Sequence, residues 1–222
     1  NNHTVTLDSK YSKFKRYVGI DHSRSMLDAA KLVMSGTMYD AVFFDKTSDI
    51  VQRCHLNDDR YDLAVASFVL SELKSDSSRI SAVQLLYEML DVNGILVIIE
   101  SRSPKGSHTV RSARQLILDN FGINNNKKDE METIQLKSVL SPPMGHQSSD
   151  IYATVVSPCT HDHTCPLGEG VWCSFAQKAH SGIIRKDQLE KFSYVVIKKQ
   201  SKITNNDKWN SNYNNNSAIN QA

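Results

Sequence analysis

This 222-residue chain has no long apolar run, little net charge and no visible leader segment. The longest apolar run, residues 95–99, has the length of a strand, which excludes a membrane-spanning helix of about 20 apolar residues. The formal net charge is only +2, so the chain as a whole does not have the charge of a nucleic-acid binder, and an RNA contact requires a local patch. The chain starts at Asn1 without a visible signal or transit segment. We therefore expect upstream sequence to be missing.

Cysteine is also scarce, but its distribution is informative. Three of the four cysteines, Cys159, Cys165 and Cys173, fall within fifteen residues, with His161 and His163 between them. In a chain without secretory features, such dense thiols indicate a metal ion or an iron–sulfur cluster rather than disulfides. The C-x5-C-x7-C spacing matches neither a CxxC zinc ribbon nor a ferredoxin run, so spacing alone does not identify the metal. For the fourth thiol, Cys54, we expect a small buried apolar role.

Apolar runs and helical spacing predict an alternating order of strands and helices. The predicted strands are residues 17–21, 41–45, 62–67, 95–100, 152–156 and 192–197. Three helices are predicted. The first begins after Ser23, the second includes residues 80–90 and stops at Asn93-Gly94, and the third covers residues 107–121. This alternation predicts an α/β fold with a parallel, doubly wound sheet. The polar residues 122–149 are not assigned, and the Asn-rich tail from residue 204 is predicted to be disordered.

Three sequence segments resemble one known family. They are PC-x-HD-x-x-CP at residues 158–166, WC-x-F-x-Q at 172–177 and EKFSYV at 190–195. These segments resemble the mitochondrial small-subunit ribosome assembly family of methyltransferase-like proteins, and the resemblance extends over residues 17–198. It implies a class I methyltransferase (Rossmann-like) fold with a cysteine-ligated iron–sulfur or metal insertion between the last two strands. It also implies a location in the mitochondrial matrix, partners among the rRNA and proteins of the small ribosomal subunit, and a role in mitochondrial translation, with neither membrane nor DNA as a partner.

The resemblance begins only at the second strand of that fold. The first strand and its glycine-rich turn, which contact the methionine part of S-adenosylmethionine, are not in the sequence. We therefore expect a fold that is incomplete at its N-terminus, with the strands at residues 17–21 and 62–67 facing the empty position. The expected divisions are a partial α/β domain at residues 1–157, a cysteine-rich insertion at 158–190, a final strand at 191–203 and a tail at 204–222.

Four residues are candidates for binding S-adenosylmethionine. Asp21 ends a strand where class I methyltransferases place an acid on the ribose hydroxyls, although a helix-capping role is the alternative. Asp45 is a candidate for the adenine region, with an ordinary strand-end acid as the equal alternative, and Ser67 and Phe68 lie at the carboxyl end of the next strand. Arg102 stands where the family has a glycine in its E-x-G-T-P-x-G turn, and no NPPY or DPPY motif is present. Enzymatic activity is therefore left open, no catalytic residue is assigned, and an active S-adenosylmethionine-dependent RNA methyltransferase is the alternative function.

The metal candidates are Cys159, Cys165, Cys173 and His161. The resemblance implies a fourth thiolate after the FSYV strand, but residues 198–222 contain no cysteine. His161 is therefore a candidate fourth ligand, with His163 and His180 as alternatives, and an outer-shell role for His161 also stays open. A four-iron cluster is favoured by the resemblance, and zinc is the alternative because Cys3His is an ordinary zinc set.

Basic residues near the strand at residues 95–100 are candidates for an RNA contact. Arg102, Lys105, Arg111 and Arg114 are spaced to form a strip along the following turn and helix. Such a strip suits RNA phosphates, with an affinity that falls steeply as salt rises. A solvated helix face is the alternative.

Overall fold

A computed structural model describes residues 16–123, 150–168, 170–179 and 188–202. The chain divides into two compact units, residues 1–59 and 60–222. The elements, in chain order, are β1 Arg16–Ile20, α1 Arg24–Met34, β2 Asp40–Phe44, α2 Thr47–Asn57, β3 Tyr61–Ser67, α3 Asp76–Glu88, β4 Leu90–Ser101, α4 Pro104–Phe121, β5 Ile151–Ser157, β6 Phe175–Ala179 and β7 Gln188–Ser201. None of the described helices is long and apolar enough to cross a membrane.

The first unit contains a two-stranded parallel sheet. Strands β1 and β2 pair from Arg16 with Asp40 through Ile20 with Phe44, and α1 connects them, as a parallel crossover requires. Helix α1 buries Leu27, whereas α2 buries Ile50 and Cys54. Cys54 is only 1% exposed, in agreement with the buried role expected for it.

The second unit contains a five-stranded sheet in which β3, β4, β7 and β5 are neighbours in that order and β6 pairs with β7. Strand β3 is parallel to β4, but β7 is antiparallel to β4, β5 and β6. The sheet is therefore mixed, and the prediction of a parallel sheet is wrong for β7. Strand β7 follows β6 directly in the chain and pairs with it in the antiparallel direction. Such a pair needs no helical crossover, whereas a parallel pair would.

The core of this unit lies where α3 and α4 pack on the sheet. In β4 every second side chain from Gly94 to Glu100 is buried, including Leu96 and Ile98. Ile117 of α4 and Ile197 of β7 are fully buried in the same cluster. This packing fixes α4 against β4 and against β7, the strand that contributes Ser193, Tyr194 and Val195 to the cavity of the cysteines.

Most predicted elements are present, but three details differ. The helix predicted to stop at Asn93-Gly94 ends earlier, at Glu88, and both residues lie in β4 instead. The reason is that Leu90 already pairs with Tyr61, and the extra residues before Ile95 form an irregularity in which Asn93 has a φ of 69°. Helix α2 and strand β6 were not predicted. Residues 124–149 and the tail at 204–222 lie outside the described residues.

Strands β1 and β3 are edge strands within the described ranges. Strand β1 pairs with β2 and strand β3 with β4, and neither has a second described partner. These are the two strands predicted to face the position of the missing first strand.

Candidate metal centre

A tight turn after β4 determines where helix α4 begins. Ser103 is the N-cap, its hydroxyl oxygen accepts a hydrogen bond from the nitrogen of Gly106 at 3.0 Å, and Pro104 occupies the first turn. Proline suits this position because its fixed φ is helical and its missing N–H has no partner to lose. Gly106 packs against the carbonyl of Ser101, and a Cβ atom at Gly106 would lie 2.1 Å from that oxygen. The start of α4 is therefore held close to the end of β4.

Helix α4 presents three polar residues to the segment between β5 and β6, residues 158–174, which we name the cysteine loop. Ser107, Arg111 and Arg114 are spaced to share one helix face. The Ser107 hydroxyl accepts from the nitrogen of Cys173 at 3.0 Å. The Arg111 guanidinium donates to the carbonyls of Leu167 (2.5 Å) and Val171 (3.2 Å). Nη2 of Arg114 donates to the carbonyls of His161 (2.7 Å) and His163 (2.8 Å).

The sheet holds the same loop from the other side. The hydroxyl of Ser193, in β7, donates to the carbonyl of Cys173 at 2.5 Å. At the start of the loop, Oδ1 of Asp162 accepts from the nitrogen of Val155 at 2.7 Å. The backbone of Cys173 is thus fixed by both α4 and β7, which limits how far its thiol can move.

The three loop cysteines line one cavity of about 300 Å³, together with Arg111, Arg114 and His161. The pKa of Cys173 is raised, first by burial and then by the charges of Cys159 and Cys165, while Arg111 acts in the opposite direction. The shared cavity places the three cysteines at one site. The sequence prediction that these thiols belong to one site therefore has a geometric counterpart.

Two basic side chains at this cavity have unused polar atoms. Nε and Nη1 of Arg114 and Nδ1 of His161 are buried and have no hydrogen-bond partner within the described ranges. Buried polar groups in proteins nearly always have a partner. Such orphaned atoms beside three thiols fit an anionic, thiolate-bound group in the cavity.

A single metal ion and an iron–sulfur cluster require different spacings between their ligands. In the described part of the chain, no three His, Cys, Asp or Glu side chains are placed as ligands of one ion. A zinc ion needs all its ligands around one centre, whereas each thiolate of a four-iron cluster binds its own iron, so the sulfur atoms stand further apart.

His161 is the candidate fourth ligand that the structure brings to the cavity. Its ring stacks on that of His163 at 6.0 Å between centroids, but His163 is exposed and is not among the cavity-lining residues. His180 lies outside the described residues. Between the two described histidines of the loop, the fold therefore favours His161 over His163.

The four candidates for S-adenosylmethionine binding fall in different units. In the first unit, Oδ1 of Asp21 accepts from the nitrogen of Ser23 at 2.8 Å, a turn contact just before α1, whose N-cap is Ser23. Asp45 follows β2 and is half-buried. In the second unit, exposed Ser67 ends β3. Phe68 follows with a φ of 57° and a ring that is 50% exposed. A bulky residue in the left-handed region is unusual and is a reason to suspect function.

The predicted basic strip separates into two parts. Arg102 and Lys105 are exposed, and Lys105 donates to the carbonyl of Ser71 at 3.2 Å. Arg111 and Arg114 instead turn to carbonyls of the cysteine loop, and Arg114 is only 3% exposed. Arg114 is thus part of the cysteine site, a role that the sequence analysis did not assign to it.

Sequence reasoning also missed three anchoring residues. Ser107 and Ser193 hold Cys173, as described above. Buried Glu100 accepts from both the nitrogen (3.1 Å) and the hydroxyl (2.6 Å) of Ser71, which fixes the turn after β3 to the end of β4. For Ser107 a signal was available, because it shares the helical spacing of Arg111 and Arg114. Ser193 and Glu100 have no such local signal.

These features define a class of protein: a mixed α/β chain in which a helix and a strand clamp a loop of three thiols around one cavity. The family described as "Mitochondrial small ribosomal subunit Rsm22" matches residues 3–129 and 146–211, and the chain belongs to this family. Membership of this family confirms the resemblance found in the sequence and the mitochondrial location that it implies.

Among individual proteins, the human "Ribosome assembly protein METTL17, mitochondrial" is 29% identical over 196 residues. The match covers 84% of this chain but only 37% of that relative. A solved structure described as "Conversion of a Disulfide Bond into a Thioacetal Group during Echinomycin Biosynthesis" matches with a TM-score of 0.40 and 13% identity, over 90% of this chain and 72% of that one. That structural likeness is too low to support any conclusion.

Proposed function

We propose that this chain acts in the assembly of the mitochondrial small ribosomal subunit by binding its rRNA and proteins, and so supports mitochondrial translation. Membership in the family and the printed role of the human relative support this proposal. We also infer that the α/β fold of this chain is a class I methyltransferase fold with a cysteine-rich insertion. The parallel pairs β1–β2 and β3–β4 are consistent with such a framework.

The second part of the proposal is a four-iron cluster at the cysteine loop. Cys159, Cys165 and Cys173 would hold it, with His161 as the candidate fourth ligand and zinc as the alternative metal. The observation that carries this proposal is one cavity lined by all three thiols and by the orphaned atoms of Arg114 and His161. When bound, a cluster supplies thiolate–iron bonds whose free energy adds to that of folding.

A structural role for the site suits its surroundings. Metal sites in small domains contribute folding free energy of about 10 kcal/mol, which is large compared with the stability of a whole domain. Val171 and Trp172, immediately before Cys173, are 54% and 42% exposed. A loop ordered by the cluster would present these apolar side chains in one fixed arrangement, as a docking surface for ribosomal RNA or protein requires.

For the RNA contact itself, the exposed cations are the suitable residues. Arg102 and Lys105 lie at the end of β4 and the start of α4 with their side chains exposed. Arg111 and Arg114 already use their guanidinium groups within the protein. We therefore assign phosphate contacts to Arg102 and Lys105, and expect each to contribute to the salt dependence of RNA affinity.

Cosedimentation with small-subunit particles from mitochondria tests the proposed function. We expect the protein to migrate with these particles, and Cys165→Ser to weaken that association because the loop loses its order. Ser174→Ala, a change of an exposed residue beside Cys173, is the matched control. Arg102→Ala and Lys105→Ala should weaken association more at low salt than at high salt. A protein that never cosediments with the particles would refute the function.

A second function, S-adenosylmethionine-dependent RNA methylation, is favoured by one observation. The exposed and left-handed Phe68, next to Ser67, lies at the carboxyl edge of β3, where ligands bind in open α/β sheets. Calorimetry with S-adenosylmethionine tests this function. Binding that Phe68→Ala weakens would support it, and Asp21→Ala and Asp45→Ala would then test the other two candidates. No detectable binding by the wild-type protein would exclude the enzyme.

A further inference from the structure

The guanidinium of Arg114 is a buried charge for which the described structure provides no counter-ion. The side chain is 3% exposed, and Nη2 is satisfied by the carbonyls of His161 and His163. Nε and Nη1 are buried without a partner, and none of the described carboxylates forms an ion pair with this residue. Arginine keeps its proton in proteins, so the charge is not removed by titration.

Burying an unpaired charge is costly, so a guanidinium in such a place normally faces an anion. Arg114 lines the cavity that Cys159, Cys165 and Cys173 also line. An iron–sulfur cluster bound by thiolates supplies a net negative charge and sulfur atoms that accept hydrogen bonds. The free N–H groups and the charge of Arg114 are therefore complementary to this occupant.

We propose that Arg114 is the charge partner of the cluster: it stabilises the bound group electrostatically and raises its reduction potential. This inference rests on the proposed cluster and adds a residue that is not a ligand. A positive charge held in a poorly solvated site favours the reduced, more negative form of the cluster. Arg114 is thus a positioning residue with two tasks, since Nη2 also fixes the loop carbonyls.

Arg111 differs from Arg114 in this respect. It lies one helical turn earlier, it is only partly buried, and its two terminal nitrogens donate to the loop carbonyls of Leu167 and Val171. Among the basic side chains that line the cavity, Arg114 alone has buried guanidinium N–H groups left over for an occupant.

The test is a redox titration of the anaerobically purified protein, with dithionite as the one-electron donor and electron paramagnetic resonance of the reduced cluster as the readout. Four proteins are compared: wild type, Arg114→Gln, Arg114→Lys and Arg24→Gln. Glutamine keeps a donor for the loop carbonyls without the charge, whereas lysine keeps the charge. Arg24 is an exposed arginine of α1, so its change controls for the loss of a surface charge.

We expect Arg114→Gln to shift the midpoint potential to more negative values, Arg114→Lys to stay near wild type, and Arg24→Gln to leave it unchanged. Loss of the cluster from Arg114→Gln but not from Arg114→Lys would support the same conclusion. An unchanged potential in Arg114→Gln, or equal shifts or equal cluster loss in both variants, would overturn it and leave Arg114 as a loop clamp. If wild type contains neither iron nor sulfide, the cluster itself is refuted, and the inference with it.

Discussion

The hydroxyl oxygen of Ser107 accepts a hydrogen bond from the backbone nitrogen of Cys173 at 3.0 Å. Ser107 is in α4 and is fully buried, and Ser193 of β7 binds the carbonyl of the same cysteine. The position of a candidate ligand is therefore set by two elements distant from it in the chain. This arrangement links the stability of the fold to the geometry of the site.

Ser107→Ala is expected to destabilise the protein and to reduce its metal content together. The change leaves the partly buried N–H of Cys173 without the acceptor it has in the wild type, which costs about 1–3 kcal/mol. Urea unfolding measures the loss of stability, and iron analysis of the same sample measures the site. Ser112→Ala, at an exposed position of α4, is the control and should leave both values near wild type. Equal behaviour of the two variants would contradict the anchoring role of Ser107.

Gly106→Ala is expected to displace the start of α4. The added Cβ would lie 2.1 Å from the carbonyl oxygen of Ser101, and a backbone atom cannot move aside cheaply. We expect a loss of about 1–3 kcal/mol in the free energy of unfolding, as for other overpacked sites. Gly36→Ala is the control, because nothing lies within 4 Å of a Cβ there. A midpoint of urea unfolding for Gly106→Ala equal to that of the control would show that the close approach is unimportant.

Lys199 is expected to make stability depend on pH above about 8. Burial is the main reason that the pKa of Lys199 falls from 10.5 to about 8, with Arg60 adding to it and Glu88 and Asp91 opposing it. Its ammonium group donates to the carbonyl of Leu90 at 2.7 Å, near the end of α3. Between the two pKa values the unfolded chain binds more protons than the folded chain, so this residue makes the free energy of unfolding rise with pH.

The expected contribution is a slope of about 1 kcal/mol per pH unit, measured between pH 8 and 10 as the difference between wild type and Lys199→Met. The measurement stops at pH 10 because burial raises the pKa of Tyr87. Above that pH the unfolded chain loses the tyrosine proton first, and this lowers the free energy of unfolding. Titrating groups away from Lys199, Cys173 among them, are common to both proteins and cancel in the difference, whereas the ring of Tyr87 lies beside the Lys199 ammonium group. Identical pH profiles for the two proteins would contradict a lowered pKa at Lys199.

Local sequence patterns were sufficient to predict most of the strands and helices. The apolar residues 95–99 and the N-cap at Ser23 both mark elements that the structure contains. Helix α2 escaped prediction because it buries only Ile50 and Cys54, too few residues for a clear helical period. Strand β6 is short and exists through its pairing with β7, from Phe175 with Phe192 onward.

The cysteines of the site could be predicted, but not the residues that hold them. Thiol density is a local property, whereas the hydrogen bond from Arg114 to the carbonyl of His161 joins residues 47 positions apart. From sequence, an arginine on a helix is equally compatible with RNA phosphates and with a buried loop carbonyl. Only the packing of α4 against the cysteine loop distinguishes these two environments.

Iron, zinc and acid-labile sulfide, measured in the protein purified anaerobically from its own cells, test the proposed cluster most directly. We predict iron with matching sulfide, lost in Cys159→Ser, Cys165→Ser and Cys173→Ser. Ser174→Ala, the neighbouring control, should retain both. Zinc without sulfide, or no metal at all, would contradict an iron–sulfur cluster at the cysteine loop.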